Sequence, residues 1–340
     1  MQKWNAGVFI MVLLSIFVFS GCVNSTVLTS TTGGEKELTE VKVAMWPYFS
    51  YAPLFIAEEE GYFEEQGIEV EFIALGNTLV PSALAQGDVD VSAGFLTAGL
   101  FNGMARGLNI KIVADKGFIS PDDCASNAIL ARKDLIAAGD LDFPTGLDGK
   151  TIAIDAYSIE GFVLEPLLIE CGVMIDNIKA VDMPPPAELD AFESGAIDLS
   201  MMSEPWVTRL LDDGNTEIWK VYSDLVPDQQ WSVIMYGPNF LEKNPDLGNR
   251  FMAAYLKAVR LYNEGRTDRN LELLANFTGQ DIEFINRVCW PTFRSDGGIN
   301  SDSVIDFQVW AENKGLQDQV VTEENFWDGR FVEYANDILS

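Results

Sequence analysis

The strongest constraint on the fold is a repeated alternation of short apolar runs with helix-like segments ended by glycine. Residues 41–45 form a strand, 53–60 a helix stopped by Gly61, 68–73 a strand, and 80–86 a helix ended by Gly87. A strand at 89–93, a small-residue helix running to Arg106 and a strand at 110–114 complete the first series. Glycine ends helices because it takes the left-handed conformation at no steric cost. Strands alternating with helices imply a parallel sheet covered on both faces. After a strand at 128–131, the polar, Gly- and Pro-containing stretch 134–147 reads as a crossover. The alternation then restarts with strands at 151–154, 178–181 and 197–201 and helices at 161–171, 187–194 and 206–212. The apolar run 232–236 is placed to carry the chain back to the first unit. Helices at 246–264, 270–277, 280–289, 301–314 and 326–339 are expected beyond it. In the first of these, Phe251, Tyr255, Leu256, Val259 and Tyr262 share one face.

An internal echo supports two similar lobes. Ser82-Ala-Leu-Ala-Gln-Gly-Asp-Val-Asp90 parallels Asp190-Ala-Phe-Glu-Ser-Gly-Ala-Ile-Asp198, each a helix, a glycine cap and a strand introduced by Asp.

The amino terminus has a different character. Lys3 precedes an almost unbroken apolar run from Ala6 to Phe19, then Ser20, Gly21 and Cys22. A positive start, a short apolar run and small residues at the cut describe an export signal over residues 1–21. The run is shorter than the roughly 20 residues that span a bilayer. Phe19-Ser20-Gly21-Cys22 resembles the bacterial lipobox, with Phe19 where Leu is usual. That resemblance implies lipidation at Cys22, and two or more acyl chains anchor stably because each buried methylene contributes roughly 0.8 kcal/mol. Residues 23–40 are rich in Ser, Thr and Gly and read, with Cys22, as a lipidated flexible tether over 22–40.

Charge and composition exclude whole classes of function. The chain carries 52 Asp and Glu against 22 Lys and Arg, a formal charge of −30. Such a surface repels nucleic acid and anionic lipid, so membrane contact is expected through the anchor alone. No histidine is present, which rules out Ser-His and Cys-His catalysis and His-ligated metal sites. Cys124, Cys171 and Cys289 allow one disulfide and one free thiol, and sequence leaves the pairing open.

Four segments in order resemble the solute-binding proteins of ABC importers. They are Ala52-Pro-Leu-Phe-Ile-Ala-Glu-Glu-Glu-Gly-Tyr-Phe-Glu-Glu-Gln-Gly-Ile-Glu-Val-Glu71, Ala83-Leu-Ala-Gln-Gly-Asp-Val-Asp-Val91, Leu147-Asp-Gly-Lys-Thr-Ile-Ala153, and Phe192-Glu-Ser-Gly-Ala-Ile-Asp198 with Glu204-Pro205-Trp206. The nearest branch is the SsuA/THI5-like, or NMT1-like, family, whose members serve nitrate, taurine, sulfonates and the thiamine pyrimidine precursor. The resemblance covers about residues 41–262 and is looser beyond 265. It implies an α/β, type II periplasmic-binding-protein fold: two α/β lobes joined by two crossovers, with a helical C-terminal region. Lobe one is expected at 41–131 and 232–340, lobe two at 150–225, and the crossovers at 132–149 and 226–231.

Ligands of open α/β sheets bind beyond the carboxyl ends of strands, which selects the candidate site residues. Trp46, Tyr48, Phe49 and Tyr51 follow the first strand and offer a stacking surface for a flat or cationic solute. Asn77 and Thr78 follow the second strand, and Phe95 and Thr97 the third; each pair suits either capping or ligand contact. Asp115 and Lys116 end the fourth, and Lys116 is a rare positive group near the expected cleft. Tyr157, Ser158, Glu160 and Gly161 form the turn before a lobe-two helix, where free N–H groups suit an anion. Relatives that bind sulfonate or nitrate receive the charged group at this turn, and Glu160 argues against a simple anion here. Glu204 and Trp206 flank Pro205 at another helix start. Trp231 stands at the return crossover.

The set is aromatic and acidic with little arginine. It tilts the expectation toward a thiamine-pyrimidine-like heterocycle or an amine, ahead of sulfonate, taurine or nitrate. The chain is expected to be a non-enzymatic, cofactor-free monomer, lipid-anchored outside the cytoplasmic membrane, that hands a small solute to an ABC permease. A ligand-sensing partner of a signalling receptor would share the fold. A THI5-like pyrimidine synthase would need the His and Cys-rich run that this chain lacks.

Overall fold

A computed structural model describes residues 38–45, 48–76, 79–142 and 146–340. The export signal, Cys22, the tether through residue 37, Trp46, Asn77 and Thr78 lie outside the described residues. Ten strands are described: β1 (Thr39–Met45), β2 (Ile68–Ala74), β3 (Val91–Phe95), β4 (Lys111–Phe118), β5 (Asn127–Arg132), β6 (Thr151–Ala153), β7 (Lys179–Val181), β8 (Leu199–Ser203), β9 (Thr216–Val221) and β10 (Gln230–Tyr236). They form two five-stranded sheets, ordered β2-β1-β3-β10-β4 and β7-β6-β8-β5-β9. Helices cover the sheets, giving the type II periplasmic-binding-protein fold with two α/β lobes. No helix among the described residues is long and apolar enough to cross a membrane.

Two strands run against their neighbours. β10 is antiparallel to β3 and β4, and β5 is antiparallel to β8 and β9. Both occupy interior positions, and every residue of β10 is buried. This corrects the expected lobe boundary. Residues 127–131 belong to the second lobe, so the chain crosses at 119–126 and not at 132–149. The polar stretch taken for a crossover begins with the helix Lys133–Ala138, which packs beside β5 and β9 and is ended by Gly139 at φ 74°. The return crossing occupies 222–229, ahead of the expected 226–231. β9 escapes the sequence pattern because it is an edge strand with one neighbour, and its Thr-Glu-Ile-Trp-Lys-Val run is largely exposed or half-buried. β1 begins at Thr39, two residues inside the expected tether, through pairing with Ile68 and Glu69.

The sequence echo has a common physical cause in both lobes. Asp90 accepts the Lys42 N–H at 2.8 Å through its carboxylate, and its own N–H donates to the Lys42 carbonyl at 2.9 Å. Asp198 repeats this on Thr151, at 2.9 Å through the carboxylate and 2.8 Å through the backbone. Each Asp therefore stitches the start of one parallel strand to its neighbour. Gly87 and Gly195, at φ 78° and 71°, end the preceding helices in the left-handed conformation.

The C-terminal region does not serve lobe one alone. The helix Ser301–Asn313 packs on the lobe-two helix Ile159–Cys171 as well as on Ala98–Ala105. Trp310 meets Phe162 at 5.9 Å, and Lys314 pairs with Glu165 at 2.6 Å. The expected last helix is two, Glu323–Phe326 and Arg330–Leu339, separated at Gly329. A disulfide joins Cys124, on the first crossover, to Cys289, and Cys171 is a buried free thiol.

Replacing Asp90 or Asp198 by Ala leaves one strand-edge N–H without its acceptor. Each substitution is expected to lower stability by about 1–3 kcal/mol, read as a lower midpoint in urea denaturation. An unchanged midpoint for both would show that the echo has no structural role.

The interlobe cleft as candidate solute site

The two lobes meet where the carboxyl ends of their parallel strands face each other. Phe49 N–H donates to the Glu204 carbonyl at 3.1 Å, and Ile159 N–H to the Leu96 carbonyl at 3.1 Å. Thr97 and Ser158 form an isolated β-bridge beside them. The remaining gap at the cleft base is lined by Ser50, Asn127, Ser203, Glu204 and Trp231 and encloses about 10 Å³. That is room for about one water molecule.

A run of aromatic rings reaches from the first lobe to the return crossover. Tyr48 stands edge-on to Phe95 at 5.9 Å, Phe95 to Trp231 at 5.4 Å, and Trp231 lies 5.2 Å from Tyr222. Tyr48 follows β1, Phe95 ends β3, Trp231 lies near the start of β10, and Tyr222 opens the second crossover. Spacings of this size are those of favourable ring contacts.

One side of this run is acidic. Glu160 lies on the first turn of the helix Ile159–Cys171, and its Oε2 accepts the Asp155 N–H at 2.8 Å. Burial pushes its carboxyl up to about 8, and the nearby Asp155, Glu188 and Asp182 add to the effect. Glu188 is 4% exposed, accepts the Ser200 hydroxyl, and is pushed up to about 7, again chiefly by burial. Burial and these same carboxylates hold the Tyr48 phenol well above its usual range.

The other side carries Lys116, the one fully buried cation among the described residues. Its ammonium donates to Ser50 Oγ at 3.0 Å and lies 3.8 Å from the Tyr51 ring centroid and 5.3 Å from that of Phe95. Burial lowers it to about 7 despite Asp115. Asp115 itself is raised to about 6 by burial, against hydrogen bonds from Arg294 N–H, Gln230 and Gly117 N–H.

The turn at 155–162 is not a vacant anion cradle. Tyr157 N–H donates to Asp155 Oδ1, Ser158 N–H to the Asp155 carbonyl, and Glu160 N–H to Ser158 Oγ. With Asp155 N–H on Glu160 and Ile159 N–H on Leu96, these donors are engaged within the protein.

The sequence candidates divide accordingly. Tyr48, Phe95, Glu160 and Lys116 come together at the cleft. Phe49 and Tyr51 are core residues: Phe49 packs on Trp290, and the Tyr51 hydroxyl donates to the Ala93 carbonyl at 2.6 Å. Thr97 and Ser158 cap their helices. Gly161 is required by close approach, since a Cβ there would meet the Ala156 carbonyl oxygen at 2.2 Å. Tyr157 is 65% exposed. Glu204 faces the cleft base, but its carboxylate is held by Thr208 N–H, Thr208 Oγ1 and Cys289 N–H. Trp206 packs on the lobe-two core with the Arg209 guanidinium 4.6 Å over its ring. Sequence reasoning missed Tyr222 and Glu188. The first lies on an unpatterned crossover, and the second sits on a helix whose other acidic residues are exposed or half-buried.

Raised carboxyls bind protons more tightly in the folded chain than in the unfolded one. Their stabilisation is therefore present at low pH and is lost as pH rises through the folded values. Asp115 at about 6, Glu188 and Glu204 at about 7 and Glu160 at about 8 set the window between roughly pH 4.5 and 8. Lys116, lowered to about 7, acts in the opposite sense only above that value. Thermal unfolding should thus occur at higher temperature at pH 5 than at pH 7, and Glu204→Gln should flatten the difference. A midpoint that rises from pH 5 to 7 would contradict this.

A model described as the NMT1-like family matches residues 34–276. A Bacillus subtilis (strain 168) protein, provisionally named for aliphatic sulfonate binding, is 25% identical over 344 residues, covering 96% of each chain. The ligand-binding component of an ABC-type import system from Staphylococcus aureus, solved with zinc bound, superposes with a TM-score of 0.72 at 17% identity, over 87% of this chain and 98% of its own. The desulfurization enzyme DSZB superposes with a TM-score of 0.62 at 13% identity, over 88% of this chain and 99% of its own. Binders and a catalyst thus share this architecture, and function has to be argued from the site. With the family model spanning well over half of its length, the chain belongs to the NMT1-like family.

Proposed function

We propose that this protein is the extracytoplasmic solute-binding component of an ABC importer, lipid-anchored at Cys22, which captures a small organic solute between its lobes and delivers it to a membrane permease. The observation that carries this reading is the run of rings Tyr48, Phe95, Trp231 and Tyr222, contributed by one lobe and the return crossover and walled by acids from the other lobe. Such a site is complete only when the lobes close, and solute shifts the open–closed equilibrium by its differential affinity. The Bacillus subtilis relative named for sulfonate binding supports a binding role.

A nitrogen-bearing heterocycle or amine fits this cleft better than a sulfonate. Flat rings suit stacking, the adjoining carboxyls suit N–H donors or a cation, and the backbone donors of Asp155, Tyr157, Ser158, Ile159 and Glu160 are already engaged. One feature favours the second reading: Lys116 gives an anion a positive partner at the cleft.

Tryptophan fluorescence and thermal shift, screened against thiamine pyrimidines, amines, taurine, alkanesulfonates and nitrate, test the proposal. One class should bind, and Phe95→Ala should weaken it at least about tenfold through lost ring contact. Lys116→Met should spare a heterocycle and abolish a sulfonate. Folded protein that binds no member of any class would defeat the transport reading.

A further inference from the structure

We propose that the acidic wall of the cleft is a site for a protonated nitrogen. In it Glu160 and Glu188, with the hydroxyls of Tyr48 and Tyr222, hold a cationic amine or amidine whose apolar part lies on Phe95 and Trp231. This rests on the solute-binding reading and names its ligand class.

Four elements converge here. Glu160 comes from the helix Ile159–Cys171, Glu188 from Pro185–Ser194, Tyr48 from the loop after β1, and Tyr222 from the second crossover. Glu160 uses Oε2 for the Asp155 N–H, and Glu188 uses Oε2 for the Ser200 hydroxyl, which leaves each an oxygen for a ligand. The independent sign of a ligand is Tyr222. It is fully buried, its hydroxyl has no hydrogen-bond partner, and it lies close enough to Glu160, Glu188 and Tyr48 to feel their charge. Folded proteins rarely leave a buried hydroxyl unpaired. A solute N–H donor bound between the two carboxyls would give it one.

The charges around the site have a single sign. The groups facing Glu160 are Asp155 on the turn after β6, Asp182 after β7, and Glu188, with the phenols of Tyr48 and Tyr222 opposite. No Lys or Arg is among them. Lys116 approaches Phe95 from the Tyr51 side and answers to Asp115. A solute cation would supply the missing positive charge, and the neighbouring ring faces would attract it as well.

Capture should then exchange protons. Burial holds Glu160 at about 8 and Glu188 at about 7, so these carboxyls keep protons near neutrality. An arriving cation favours the ionised form and expels one. Affinity for a fixed cation therefore rises with pH, by up to about tenfold per unit below the folded value.

Benzylamine and benzamidine, which stay protonated through pH 8, serve as cationic probes. Benzyl alcohol and benzenesulfonate are the matched neutral and anion. Calorimetric titration of the wild-type protein at pH 6, 7 and 8 should show binding of the two cations, tightening severalfold to tenfold per unit. Glu160→Gln and Glu188→Gln each keep an oxygen for their internal partner. Each should weaken the cations at least tenfold and flatten the pH profile, and Tyr222→Phe should weaken them severalfold with unfolding temperature retained. If benzenesulfonate binds and neither cation does, this inference falls while solute capture stands. Cations that bind equally at pH 6 and 8, or no binding of either cation, also overturn it; in the last case the wider solute screen decides separately on capture.

Discussion

Each lobe depends on a strand that arrives from the other side of the cleft. β10 enters the interior of the first sheet only after the chain has built the second, and β5 enters the second directly from the first. An interior strand satisfies its backbone groups on both edges, so neither can leave without exposing unpaired N–H and C=O groups. The crossovers at 119–126 and 222–229 are thereby pinned at both ends. The second is braced further. Asp228, at φ 61°, accepts from Arg294 and Asn300, and the Gln230 side chain donates to Asp115 at 2.7 Å. The Cys124–Cys289 disulfide ties the first crossover to the C-terminal region. Tyr222 lies on the second crossover and Trp231 just beyond it in β10, and their rings are 5.2 Å apart.

Electrostatics divides the cleft by position along the rings. Lys116 with Ser50 and Asp115 lies at the first-lobe side, while Glu160 and Glu188 lie at the second. Burial is the largest cause of every one of these shifts. The acidic composition is thus carried into the interior at Asp115, Glu188 and Glu204.

Much of this was legible in sequence because periodicity and glycine caps report local structure. Most strands were placed to within two residues, and the Asp90 and Asp198 echo pointed to a duplicated unit whose cause is a shared hydrogen bond. The assignment of 127–132 to the second lobe was not legible, because strand order is a long-range property and an antiparallel insertion leaves no local mark. Tyr48, Phe95, Lys116 and Glu160 were found by their position after strands. Phe49 and Tyr51 shared that position but turn into the core, a direction that depends on the packing of Trp290 and Ala93. Tyr222 and Glu188 were missed because the feature that marks them, burial without charge compensation, exists only after folding.

The central claim is that a solute is enclosed by closure of two lobes about two short crossovers. Small-angle X-ray scattering of the protein with and without a solute selected by binding tests it directly. The account predicts a wider, open ensemble without solute and a smaller radius of gyration at saturation, approaching that calculated for the closed arrangement. An identical radius in both states, with saturation confirmed, would contradict it.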